Sequence, residues 1–253
     1  MNKLVDITED LLKENFKTNY LIQVAYEIRF PTDLTIKNKI PEFQGSIKDN
    51  FSIYEEGYSF PLTFQPKEDL SNLMNYKFLN ENKSVELYLN NYTIFGLRTK
   101  NYPGYKIFLK NFMENVKRFI EISNVNKITR LGIRYINSIQ LEEDFDESNQ
   151  LKNKYVISLL DEKYGKEIFD SQRIDLRYHE KEFEIHQQFI FRKNPNNFYE
   201  LLIDLDNSLK DSIKMDLRDI EDKLNKLHYL IKTKFFEMIT DHFLMELRKE
   251  VGD

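Results

Sequence analysis

Residues 76–99 read YKFLNENKSVELYLNNYTIFGLRT. Three short segments rich in aromatic and aliphatic residues, YKFLN, SVELYL and YTIFGLR, are separated by Glu81-Asn-Lys83 and by Asn90-Asn91, both good formers of tight turns. Strands joined this closely run antiparallel, because a parallel connection needs a dozen or more residues. A second meander is predicted further on, with strands at about 168–179, 184–192 and 198–206 and a tight turn near Lys181-Glu182. Each meander is followed by a helical period. After Pro103-Gly104, the residues Ile107, Phe108, Phe112, Val116, Phe119 and Ile120 mark a helix to about 123. Later Ile213, Leu217, Ile220, Leu224, Leu227, Ile231, Phe235 and Met238 mark one of about 35 residues, running nearly to the end. The expected class is therefore α+β: antiparallel sheets packed by helices, in two meander-plus-helix halves that hint at duplication, with a long C-terminal helix.

Other elements follow outward from this frame. In residues 20–30, YLIQVAYEIRF, a period of two puts Tyr20, Ile22, Val24, Tyr26, Ile28 and Phe30 on one face of a strand that Pro31 ends. Leu4, Ile7, Leu11 and Leu12 predict a short amphipathic helix over 3–17. Pro31, Pro41, Pro61 and Pro66 leave room for one helix, about 38–53. Residues 127–141 return to strand. The run Glu142-Glu-Asp-Phe-Asp-Glu147 is the best boundary, because like charges repel and favour a solvated loop. The expected organisation is an N-terminal half over 1–141, an acidic linker over 142–149 and a C-terminal half over 150–253, opening with a short helix near 150–163, the whole forming one compact unit.

Composition narrows the chemistry. At 253 residues, 41% hydrophobic and 31% charged, the chain can bury a large core without staples. With no cysteine, disulfides, thiolate zinc sites, iron–sulfur clusters and cysteine nucleophiles are excluded, and the cytoplasm is the default compartment. The N-terminus lacks the basic region and cleavage site of a secretory signal, and no apolar run is long enough to span a bilayer. A net charge of −5 argues against a surface that coats nucleic acid throughout, though not against a local basic patch. Seven glycines form neither a dinucleotide fingerprint nor a P-loop, and no nucleophile elbow is present, so no cofactor is expected.

Three constellations remain. A turn at Lys181-Glu182 would set His186 opposite Arg177, poor company for a metal ion, while His228 and His242 stand four helical turns apart. Asp204 and Asp206 project to one side of an apolar strand, as in a divalent-cation site for phosphoryl transfer or nuclease chemistry; the simpler reading is a polar strand end leading towards a helix. Arginine placement says more. Arg29, Arg98, Arg130, Arg134, Arg173, Arg177 and Arg192 all fall in predicted strands, whereas lysines mostly do not. Arg130 and Arg134 share a face, as do Arg173 and Arg177 with Asp175 between them. Forked guanidinium groups suit carboxylate or phosphate, so such a face could hold an acidic partner or a nucleic-acid backbone. The competing reading is that Glu27, Asp175, Glu184 and Glu200 neutralise them in cross-strand pairs.

Residues 24–31, VAYEIRFP, residues 130–137, RLGIRYIN, and the LLIDLD strand followed by Leu227-His228 and Phe235 resemble a sporadically distributed prokaryotic family of about 250 residues. The resemblance implies no activity, cofactor or catalytic residue. Its patchy distribution points towards accessory proteins of phage-defence or toxin–antitoxin-like loci, and it places Glu27, Arg29, Arg134, Tyr135 and Asn137 in two signature strands. The expectation is a non-enzymatic binding or adaptor protein that engages an acidic protein surface or a nucleic acid. Its candidate residues are Glu27, Arg29, Arg130, Arg134, Asn137, Arg173 and Arg177. The part of the last helix that overhangs the body would serve a homodimer or partner contact. The alternative is a metal-dependent enzyme built on Asp204 and Asp206.

Overall fold

Hydrophobic alternation along the strands produces one nine-stranded antiparallel sheet, in the order β2-β3-β4-β5-β1-β7-β10-β9-β8. The computed structural model describes residues 5–14, 16, 19–58, 74–90, 94–140, 171–193 and 198–249. The strands are β1 (Leu21–Arg29), β2 (Ile53–Tyr58), β3 (Met74–Leu79), β4 (Val85–Asn90), β5 (Ile94–Thr99), β7 (Arg130–Gln140), β8 (Ser171–Glu180), β9 (Phe183–Lys193) and β10 (Tyr199–Leu209). The short β6 (Lys127–Ile128) and β11 (Ile213–Lys214) pair separately. The helices are α1 (Glu9–Lys13), α2 (Ile36–Ile47), α3 (Tyr105–Ile122), α4 (Leu217–Met238) and α5 (Asp241–Arg248). Both meanders and the helix after each appear where the spacing predicts them, and the fold is α+β. The acidic run 142–147 and the expected helix at 150–163 lie outside the described residues. No described helix is long and apolar enough to cross a membrane.

The sheet order shows how the two series of strands relate. In the first, the meander's last strand, β5, pairs with β1; in the second, β10 pairs with β7. β1 and β7 then pair with each other at the middle of the sheet. The strands that carry VAYEIRFP and RLGIRYIN are this central pair. Ile28-Arg29-Phe30 and Ile133-Arg134-Tyr135 share one in–out–in pattern, with the arginine facing away from the core.

Helices pack on one face of the sheet. Val24, Tyr26 and Ile28 of β1 are fully buried there, beneath Phe108, Phe112, Val116 and Phe119 of α3. The edge-on contact of Tyr26 with Phe108, at 4.8 Å between ring centres, and the stacking of Phe95 on Phe119 at the same distance fix α3 across β1 and β5. Phe43 brings α2 against Phe78, Phe95 and Phe119. Ile220, Leu224, Leu227 and Ile231 of α4 are also fully buried, and α4 packs on β7 and β10.

Three expectations need correction. The predicted 35-residue helix is two helices. The Asp216 carboxylate caps α4 by accepting from the Arg218 and Asp219 N–H groups, and α4 ends at Met238. The chain then extends through Ile239, which is fully buried, and the Thr240 hydroxyl accepts from the Phe243 N–H to start α5. At 22 residues α4 is about 33 Å long and lies over the sheet, which removes the overhang on which a dimer contact was argued. The helix expected over 38–53 stops at Ile47, and Ile53 opens β2 instead. Ile22 is 47% exposed, because an extra residue in β1 between the partners of Asn137 and Ile136 turns it off the core face.

Candidate functional site

The side of the sheet opposite the described helices carries the charge. Because cross-strand partners share a face, register alone places all seven strand arginines there. Ala25 stands opposite both Arg98 and Arg134, Arg29 opposite Arg130, Arg134 opposite Asp206, Arg177 opposite His186, Arg173 opposite Ile190, and Arg192 opposite Glu200. Composition and spacing had suggested a shared face only for pairs of them; the nine-stranded register makes it a single surface.

Each of these arginines meets a carboxylate. Glu27 is the hub: its Oε1 accepts from Arg29 Nε at 2.8 Å and Arg130 Nη1 at 3.1 Å, and its Oε2 accepts from the Tyr88 hydroxyl at 3.2 Å. Arg130 then reaches Asp206 with its other terminal nitrogen at 2.5 Å, linking β1, β7 and β10. Arg134 does not bond the residue opposite it. It forks diagonally onto Asp204, at 2.8 and 2.5 Å. Arg98 binds Glu86 at 2.7 Å and Arg192 binds Glu200 at 3.0 Å. Asp175 meets Arg173 and Arg177 of its own strand, whereas the cross-strand neutralisation considered from sequence holds for Glu27 and Glu200. Glu86, Asp204 and Asp206 join them, and Glu184 stands opposite His179 and Ser208 instead.

Two glycines shape the surface. A Cβ on Gly132 would fall 2.7 Å from Arg130 Nη1, so the bare backbone there lets the guanidinium lie over β7 between its two acids. On Gly96 a Cβ would strike the Tyr88 ring, which crosses β5 on its way to Glu27. Burial and the neighbouring Glu27 charge push the Tyr88 hydroxyl well above its ordinary range, so it stays a donor. The result is a shallow depression of about 230 Å³ walled by Glu27, Arg29, Tyr88, Arg98, Arg130 and Arg134, among others.

Asp204 and Asp206 do project to one side, as their spacing predicts, but they do not end a strand: β10 continues to Leu209. Each already accepts from an arginine, and no group of three His, Asp or Glu side chains among the described residues could hold a metal ion. That is the wrong charge environment for a divalent cation, which needs carboxylates free to converge on it. His186 lies opposite Arg177, as the turn position implies, and its Nε2 sits 2.8 Å from Asp175.

Towards β8 the pairing loosens. Arg173 and Arg177 share the single carboxylate of Asp175, at 3.4 and 3.3 Å, with side chains 58% and 72% exposed. The same carboxylate also receives Gln188 and His186.

Asn137 does not belong with the arginines. It pairs with Ile203 and points to the helix side with Tyr135. There a cavity of about 410 Å³ opens between the sheet, the start of α3, and α4, with Tyr102, Tyr105, Tyr135, Asn137, His228 and Lys232 in its wall. The Tyr102 and Tyr135 hydroxyls are 3.0 Å apart, and Tyr135 is 2.9 Å from His228 Nδ1. Tyr105 stacks on the His228 ring at 3.7 Å and bonds Asn225. Burial, reinforced by the Lys232 charge, holds His228 down at about 3, while burial pushes Tyr102 up to about 12 and Tyr135 well above its usual value. All three are neutral at pH 7. Sequence reasoning missed this cluster because its members come from three distant segments and form no motif.

No protein-family model matches the chain, and no curated protein matches it.

Proposed function

We propose that the chain is a non-enzymatic binding or adaptor protein that engages an acidic protein surface through the open face of its sheet. The observation that carries this reading is the sharing of Asp175 by Arg173 and Arg177: two exposed guanidinium groups with one carboxylate between them keep most of their donors for another acceptor. Arg29 and Arg192, each about half exposed and each held through a single nitrogen, extend the same surplus along the sheet. A protein partner suits this face better than nucleic acid. From β4 to β8 acids stand among the arginines, so a run of phosphates would meet Glu27, Asp175 and Glu200 as well as the arginines. The resemblance of the two central strands to a sporadic prokaryotic family supports placing this adaptor in a defence-associated or toxin–antitoxin-like locus.

The test is fluorescence anisotropy at low ionic strength with a labelled oligoglutamate peptide and a labelled DNA duplex. The wild type should bind the peptide, and Arg173→Glu with Arg177→Glu should weaken it at least severalfold while leaving the circular dichroism spectrum unchanged. Tighter binding of duplex than of peptide would replace the protein partner by a nucleic acid, and binding of neither would end the reading.

A further inference from the structure

We infer that the cavity on the helix side of the sheet is a binding site for a small aromatic carboxylate. This stands apart from the open-face reading, because the two sites lie on opposite sides of β7 and share no side chain.

Three features of the wall point to such a ligand. The first is shape: a pocket of about 410 Å³ lies within the range of small-molecule sites, and rings from Phe16, Tyr20, Tyr102, Phe235 and Phe236 suit a flat apolar body. The second is the Asn137 side chain. It is 6% exposed and lines the cavity, yet no hydrogen bond engages its amide among the described residues. A buried amide left unpaired is costly, and one facing an open pocket offers a donor and an acceptor to an occupant. The third is charge. Lys232 Nζ bonds the backbone carbonyls of Leu12 and Glu14 and has no carboxylate in hydrogen-bond contact among the described residues. The one acid among the described wall residues, Glu14, is taken by the Arg248 fork at 2.8 and 2.7 Å. With Tyr102, Tyr135 and His228 all neutral, the ammonium is the one charge among the described wall residues that no carboxylate hydrogen bond answers, and an anionic group on the ligand would complete it.

The Tyr102–Tyr135–His228 chain adds adaptability. In one sense Tyr135 donates to His228 Nδ1 and Tyr102 to Tyr135; reversed, His228 donates and Tyr102 is left with a free hydroxyl proton. The same residues can thus meet a ligand acceptor or a ligand donor without gaining or losing charge.

The experiment titrates the folded protein with 2-naphthoate and with its uncharged analogue 2-naphthamide, by calorimetry. Naphthoate should saturate one site. Lys232→Met should weaken it about tenfold, the value of one charge-assisted hydrogen bond, while leaving naphthamide unchanged. Asn137→Leu, with the same branching and number of side-chain heavy atoms and suited to a buried position, should weaken both. Absence of saturable naphthoate binding in the wild type, binding indifferent to both substitutions, or equal loss of both probes in Lys232→Met would each overturn the assignment.

Discussion

Replacing Gly132 by alanine tests whether the arginine lattice is as constrained as its geometry implies. The backbone there has an ordinary negative φ, so alanine itself is no strain. What it meets is Arg130: the new methyl would sit 2.7 Å from Nη1, 2.9 Å from the guanidinium carbon and 3.0 Å from Nη2, all inside van der Waals contact. A free arginine would swing aside at little cost. This one is 19% exposed and bonded to both Glu27 and Asp206, so moving it breaks two charge-assisted hydrogen bonds and takes from the partly buried Asp206 its arginine, while Glu27 keeps Arg29 and Tyr88. Allowing for partial rescue by water, the loss is about 1–3 kcal/mol. In an Arg130→Ala background the obstacle is gone, and the second alanine should stabilise by about 0.5–1 kcal/mol through reduced unfolded-state freedom. Urea unfolding of the four proteins with constant m-values gives the coupling, expected at about 1.5–4 kcal/mol. An equal effect of Gly132→Ala in both backgrounds would show that the guanidinium is not pinned.

Two further predictions concern buried polar groups. Asn207 is fully buried between Ile133 and Ile185 of the neighbouring strands, and neither atom of its amide has a partner among the described residues; Asn207→Leu should raise stability by about 1–3 kcal/mol, and a melting temperature that falls instead would reveal a partner. His228 has a folded value depressed to about 3 against an ordinary value near 6.5, so its neutral form is favoured on folding: the stability it supports is complete above pH 6.5 and is lost as pH falls towards 3. Between pH 6.5 and 5 the wild type should lose about 1–2 kcal/mol that His228→Phe does not, and parallel pH profiles for the two proteins would refute the assignment.

The parts of the fold read from sequence were those with strict local periods. Alternation in VAYEIRF and the 3–4 spacing of Phe108, Phe112, Val116 and Phe119 fix their elements without knowledge of neighbours. β2 escaped because Ile53-Tyr-Glu-Glu56 sets two apolar residues beside two acids, a pattern that fits neither period. The break after α4 escaped because Ile239 and Phe243 continue the apolar stripe; the signal was Thr240-Asp241, a cap inside that stripe. Among candidate residues, Arg130 with Arg134 and, separately, Asp204 with Asp206 were legible as same-face pairs. Their joining was not, since Arg134 reaches Asp204 diagonally and only the β7–β10 register decides which acid it finds. Asn137 was misplaced for a simpler reason: it follows Arg134 by three positions, an odd number, and an odd step along a strand crosses to the other face.

The central position of β1 has a consequence during synthesis. Its neighbour β5 emerges from the ribosome well before its other neighbour, β7, so the first meander can close while one flank of β1, which later carries the register from Leu21 to Arg29, still shows bare amides. A nascent chain at that stage presents an adhesive ribbon at what becomes the middle of the sheet. Slow translation or a stalled message between those two strands would thus be the moment at which neighbouring copies are most apt to join.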